Sequence, residues 1–163
     1  MGLLADIART YLDPAGVLRR KRGENPGENI LLAYLLFACL ISFLVRLPGL
    51  LASNPATQGP TPDQTLPALV GATFVATLLF APLFFYLLSV ISHVLARLLG
   101  RQGAMKDARL ALFWTLLALQ PLVIASVVVG NMLPPPMPNI LSALAGLFFL
   151  ATWLRGLHGL YRR

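Results

Sequence analysis

QTLPALVGATFVATLLFAPLFFYLLSVISHVLA, residues 64–96, is an uncharged run of 33 residues, and the fold turns on whether it crosses a membrane once or twice. As one helix it would be about 50 Å long, against a hydrocarbon core of about 30 Å. Two spans broken at Pro82 would have only about 16 residues each, short of the roughly 20 a span needs. No Gly, Asn or Ser cluster is there to supply the turn. The break would also carry Arg97, Arg101, Lys106 and Arg109 to the side opposite the other basic clusters. A single helix, tilted or kinked at Pro82 and protruding at one end, breaks neither rule. One span is predicted.

The charges then organise the rest. Of 13 Lys and Arg residues, 12 lie before the first apolar segment, between the second and third, or at the C-terminus, with only Arg46 near the opposite ends. Such alternation is the mark of a multi-span protein obeying the positive-inside rule. Spans are expected at about 29–47, 66–98, 110–129 and 140–160, preceded by an arm at 1–28; the membrane domain is 29–163. The fold class is all-α: a polytopic membrane protein, a four-transmembrane-helix bundle with an N-terminal amphipathic helical arm. With 57% hydrophobic and 12% charged residues, against roughly 25% charged in ordinary globular chains, no soluble domain fits beside it. Both termini are expected in the cytoplasm, with span one as a retained targeting signal, since Asp6 interrupts any cleavable h-region.

The net charge of +7 would suggest nucleic acid in a soluble protein. Here each basic cluster abuts a span, so the anionic inner leaflet is the expected counter-charge and nucleic acid is not a partner. In the arm, GLLADIARTYL (2–12) spaces Leu3, Leu4, Ile7, Ala8, Tyr11 and Leu12 as one helical face, with Asp6, Arg9 and Thr10 opposite. Asp13-Pro14 reads as a cap and first-turn proline of a second short helix that ends in Arg19, Arg20, Lys21 and Arg22. Asn25 and Glu28 resemble a capping box for span one, and Pro48-Gly49 should close it. The arm either lies on inner-leaflet headgroups or packs on its own bundle.

No catalytic constellation, cofactor motif or metal set is present in the sequence. His93 and His158 fall near the inner ends of spans two and four, but two nitrogens without an acid or second thiol beside them make a poor metal site. The single cysteine, Cys39, lies within span one. All six acids fall in the arm or loops, which weighs against a proton-coupled pump. Gln120-Pro121 reads as a kink with an amide bonded locally, or as a pathway lining; the structural reading carries more weight. Ala68, Ala72 and Ala76, and Ser142 with Gly146, recur every fourth residue and mark faces of close helix approach, within the bundle or to a partner. Trp114 is expected as an interfacial anchor. The residues expected at the membrane surface or a partner are Arg19, Arg20, Lys21, Arg22, Arg97, Arg101 and Lys106.

YLDPAGVLRRKR (11–22), FAPLFFYLLSVISHVLARLLG (80–100) and ARLALFWTLLALQPLVI (108–124) together resemble the Yip domain family, membrane proteins named for interacting with Ypt/Rab GTPases, and in particular its short alphaproteobacterial members. The charge placement supports four spans where the family is usually drawn with five, and the Asp-Leu-Tyr-Gly-Pro signature of eukaryotic members is absent. GTPase binding is therefore not carried over. The resemblance implies a non-enzymatic membrane organiser or adaptor, acting as an accessory or assembly factor for a membrane complex and partnered by another membrane protein or by itself. The alternative is a small oligomeric transporter or channel, for which Gln120 and the Ser89/His93 stripe would face water.

Overall fold

The structure is a computed structural model that describes residues 2–52, 65–132 and 137–161. The two loops at 53–64 and 133–136, neither of which carries a Lys or Arg, and the last two arginines lie outside the described residues. Among the described residues six helices follow in order: α1 (Leu3–Thr10), α2 (Pro14–Gly23), α3 (Glu28–Ala52), α4 (Leu66–Leu98), α5 (Met105–Met132) and α6 (Met137–Leu160). The last four are each long and apolar enough to cross a membrane.

Residues 66–98 form one helix, as predicted, but Pro82 is accommodated by more than a kink. Residues Ala76–Phe80 form a π turn, in which the Ala81 N–H donates to the Ala76 carbonyl five residues back. Proline cannot serve the carbonyl four residues before it and its ring crowds that position, so widening the helix by one residue just upstream relieves both problems. The chain thus stays one helix through Pro82.

Other local signals are used differently from expectation. Pro48 does not close α3, which continues to Ala52. Losing one backbone donor is tolerable where the flanking turns stay helical and no water competes for the rest. Asn25 does not cap α3 either. It sits at φ +46° and ends α2, its N–H donating to Arg22 O at 3.0 Å, while Gly27 O accepts the first α3 bonds from Ile30 and Leu31. One signal holds as read. Asp13 Oδ1 accepts from Gly16 N at 2.8 Å, capping α2. Gly100, at φ +72°, ends α4 with Gly100 N donating to Arg97 O and Arg101 N to Ala96 O, both at 3.0 Å, the paired bonds of a glycine-ended helix.

α5 is the central helix, flanked by α3, α4 and α6. Residues 110–118 are all buried, including Phe113, Trp114 and Leu117. α4 and α6 instead turn Phe80, Leu83, Phe84 and Leu87, and Leu144, Leu147 and Leu154, outward. An apolar exterior is what lipid tails require; there is no hydrophobic gain in hiding it.

The arm turns back on itself, so that α1 and α2 form a short hairpin against α5 and α6. Small residues make the crossing possible. A Cβ added to Gly156 would lie 2.4 Å from Leu18 Cδ1, and one on Gly159 would lie 3.1 Å from Ala15 Cβ. Leu18 itself is fully buried. The close approach therefore uses Gly156 and Gly159 on the last helix.

Candidate functional site

At the end of the bundle where α3 and α5 begin and α4 and α6 finish, the arm meets the basic clusters. The inward edge of α1 is polar. Asp6 and Thr10 are buried together with Ile7, whereas Leu4 and Leu12 are 80% and 89% exposed. Of the apolar face read from the sequence, Leu3, Leu4, Ala8 and Leu12 are exposed while Ile7 is buried and Tyr11 half-buried, and Asp6 and Thr10 turn inward to polar partners on α2 and α5.

Those partners form two clusters. In the first, the Asp6 carboxylate pairs with Lys21 Nζ at 3.1 Å and with the Arg20 guanidinium. Lys21 is only 5% exposed and sits 4.2 Å above the Trp114 ring, with Tyr34 beyond at 5.8 Å. The Trp114 indole N–H donates to Thr10 Oγ1 at 3.0 Å, and that hydroxyl donates to Asp6 O at 2.8 Å. Tyr11, at the turn of the hairpin, donates its hydroxyl to Ala118 O at 2.8 Å and stacks on Phe148. Ala118 lies about 20 Å along α5 from Met105 at 1.5 Å per residue, so this side chain reaches well down the bundle. Burial by itself pushes the Asp6 pKa up. The hydrogen bond and charge of Lys21, with Arg20, outweigh it and hold the carboxyl below its usual value.

In the second cluster, Arg22 spans Asp107 Oδ2 and the Leu160 carbonyl, both at 2.9 Å, tying α2 to α5 and α6. Asp107 also accepts from Ala104 N at 2.9 Å. Tyr161 donates to Ala104 O at 3.0 Å and lies 2.7 Å from His93 Nδ1. With the only hydroxyl proton committed to Ala104, His93 must supply the proton of the second bond, which fixes hydrogen on Nδ1. Burial and the nearby Asp107 charge, opposed by Arg22 and Arg97, push the Tyr161 pKa up to about 12. Gly103 makes room for the ring: a Cβ there would stand 2.6 Å from it. A peripheral pair, Arg109–Glu28 at 2.6 Å, and the bond from Lys106 Nζ to Asn25 Oδ1 at 2.8 Å join α5 to the start of α3.

The expected surface cations therefore divide. Lys21 and Arg22 are spent on internal carboxylates, and Arg20 shares Asp6. Lys106 holds Asn25, while Arg19 and Arg97 are exposed and Arg101 is half-buried. Trp114 is no interfacial anchor; it is fully buried as the floor beneath Lys21. Ala68, Ala72, Ala76, Ser142 and Gly146 all lie on the exposed surface of their helices. Gln120 is buried, accepting from Ser42 at 3.1 Å and donating to Leu116 O at 3.0 Å. It borders a cavity of about 350 Å³ between α3, α4 and α5, beside Arg46, Ser42 and Thr77. His93 bonds Tyr161, and His158 lines a different surface, so the two histidines are not joined. Among the described residues no set of three His, Cys, Asp or Glu is placed to hold a metal. Sequence reasoning missed Asp6, Asp107, Thr10 and Tyr161, whose only signal was that an acid or hydroxyl recurs near each span's basic end.

The family model for the Yip1 domain matches residues 8–162. The chain belongs to the Yip1 domain family. The match opens at residue 8, inside α1, so in this Yip1-domain protein it takes in α2 and the four long helices. No curated protein and no solved structure is detectably similar to it. It is a membrane protein of several apolar helices, four of them long enough to span.

Proposed function

We propose that this Yip1-domain protein is a non-catalytic organiser of a bacterial inner membrane, serving as an accessory or assembly factor for a membrane complex. The basic end faces the cytoplasm, as the positive-inside rule requires, and both termini lie there. The observation that carries the reading is the arm hairpin. Asp6 clamps α1 to Lys21 and Arg20 of α2, Arg22 and Thr10 fasten the hairpin to α5 and α6, and its free edge presents Leu3, Leu4 and Leu12. A rigid apolar edge at one leaflet only, flanked by the exposed Arg19 and Arg97, suits docking to a partner's helices in the cytoplasmic half of the bilayer. Little is left over for chemistry. The transporter alternative needs Gln120 in water, whereas its amide is bonded on both sides within the bundle.

The test is to extract the protein from its native membrane in lipid-bearing polymer discs, as wild type and as Asp6→Asn, and to identify what accompanies it. The expected result is a companion at fixed stoichiometry that is lost when the arm is unlocked. A homo-oligomer free of companions that conducts a solute in vesicles would overturn the assignment.

A further inference from the structure

α4 and α6 both lean on α5, and between them the basic half of the bundle leaves an open groove of about 410 Å³. Its walls are apolar, with Ile91 and Leu95 from α4 and Leu154 from α6, all strongly exposed. At its rim stand Arg101, just past the Gly100 turn, and His158 on α6. Trp153 belongs to the same lining, about 8 Å below His158 at 1.5 Å per residue along α6. Its indole N–H is buried with no hydrogen-bond partner among the described residues.

From the rim inward the groove therefore offers a cation and an imidazole, then hydrocarbon wall. A phospholipid presents the matching order: phosphate, then acyl chain. We infer that the groove holds one anionic phospholipid of the leaflet at the basic end, its phosphate between Arg101 and His158 and one chain against Ile91, Leu95 and Leu154. The apolar walls alone would suit any helix; the two rim groups select an anion. The site is independent of any companion of the arm hairpin, so it can stand or fall separately from the organising role.

The chain has two tryptophans, and only Trp153 borders the groove while Trp114 is fully buried. Quenching of Trp fluorescence by chain-brominated lipids therefore reads the groove. The full-length protein is reconstituted in phosphatidylcholine with a small fraction of brominated phosphatidylglycerol, or the same fraction of brominated phosphatidylcholine. The expected result is a roughly fivefold preference for the anionic lipid, the factor that corresponds to about 1 kcal/mol per basic residue at an anionic surface. Trp153→Phe should abolish the quenching. Arg101→Gln with His158→Gln should remove the preference but leave quenching by either lipid. Equal quenching by both brominated lipids in the unmodified protein would mean ordinary annular lipid and sink the proposal. Absence of quenching would mean that another helix fills the groove, and the lipid site would fall with it. Displacement of the brominated lipid's preference by millimolar inorganic phosphate would reassign the rim to a free anion and overturn the lipid site.

Discussion

Replacing Asp6 with Asn keeps the shape of the side chain and removes its charge, which strands Lys21 at 5% exposure with no counter-ion. At the observed 3.1 Å separation, the lost attraction is about 5 kcal/mol for an effective dielectric of 20. One effect reduces it. Lys21 sits near the basic end and can carry its charge to water if the arm lifts. The Trp114 face attracts the ammonium in both proteins and leaves the difference unchanged. Arg20 adds little to the loss, because its side chain is 38% exposed and its charge is screened. The expected cost is about 3 kcal/mol, in the range for breaking a buried pair, and it falls on arm docking rather than on the four-helix core. Hydrogen exchange in lipid discs should show α1 and α2 amides exchanging about 100-fold faster, with α3 to α6 unchanged. The double variant Asp6→Asn with Lys21→Met should recover most of the protection, since no charge is left buried. Arm exchange unchanged in the single variant, or a double variant no better than the single, would refute the ion-pair lock. The pH sign follows from the depressed Asp6 pKa: its contribution is complete above about 4, the unfolded carboxyl value, and fades only as pH falls through the lower folded value.

Three further outcomes are expected. Gly156→Ala should loosen the arm by about 1–3 kcal/mol, because its methyl must displace the fully buried Leu18, while Gly146→Ala, whose Cβ meets nothing within 4 Å, should be neutral or mildly stabilising; arm exchange and thermal unfolding distinguish them. Gly100→Ala forces a methyl-bearing residue to φ +72° and should cost about 1–2 kcal/mol, seen as faster exchange over the last turn of α4. Tyr161, held protonated to about pH 12 when folded against about 10 unfolded, should stabilise the basic end fully below pH 10 and lose that contribution as pH rises through 12; a phenolate absorbance step nearer 10 for this residue, by comparison with Tyr161→Phe, would contradict its burial beside Asp107.

Small residues show what a local pattern leaves open in this class of protein. Ala68, Ala72 and Ala76 recur with helical spacing and are exposed in this chain, Ala76 beside the cavity between α3, α4 and α5, whereas Gly156 and Gly159, three residues apart, receive the arm. Both sets are legible as small residues. Which of them receives a neighbour depends on where Leu18 and Ala15 arrive, and those come from a helix some 140 positions earlier in the chain. The same holds for Lys21. Its sequence context is a run of cations that reads as a membrane-surface patch, and nothing local marks it as the one that turns inward over Trp114.

What the sequence determined by itself is whatever depends on a short window or on overall charge. The length of the uncharged runs set the number of spans and ruled out a hairpin at Pro82; the charge alternation grouped the basic segments at one end; Asp13 and Gly100 wrote their helix boundaries through bonds that reach only three to five residues. The tertiary structure decided which way each helix faces. In water an apolar stripe must turn inward, so periodicity predicts orientation; in a bilayer lipid is as apolar as the core, and that signal vanishes. The choice passes to the few polar groups that cannot be left unpaired, and so Asp6 and Thr10 point inward toward Lys21 and Trp114 while Leu4 and Leu12 face out.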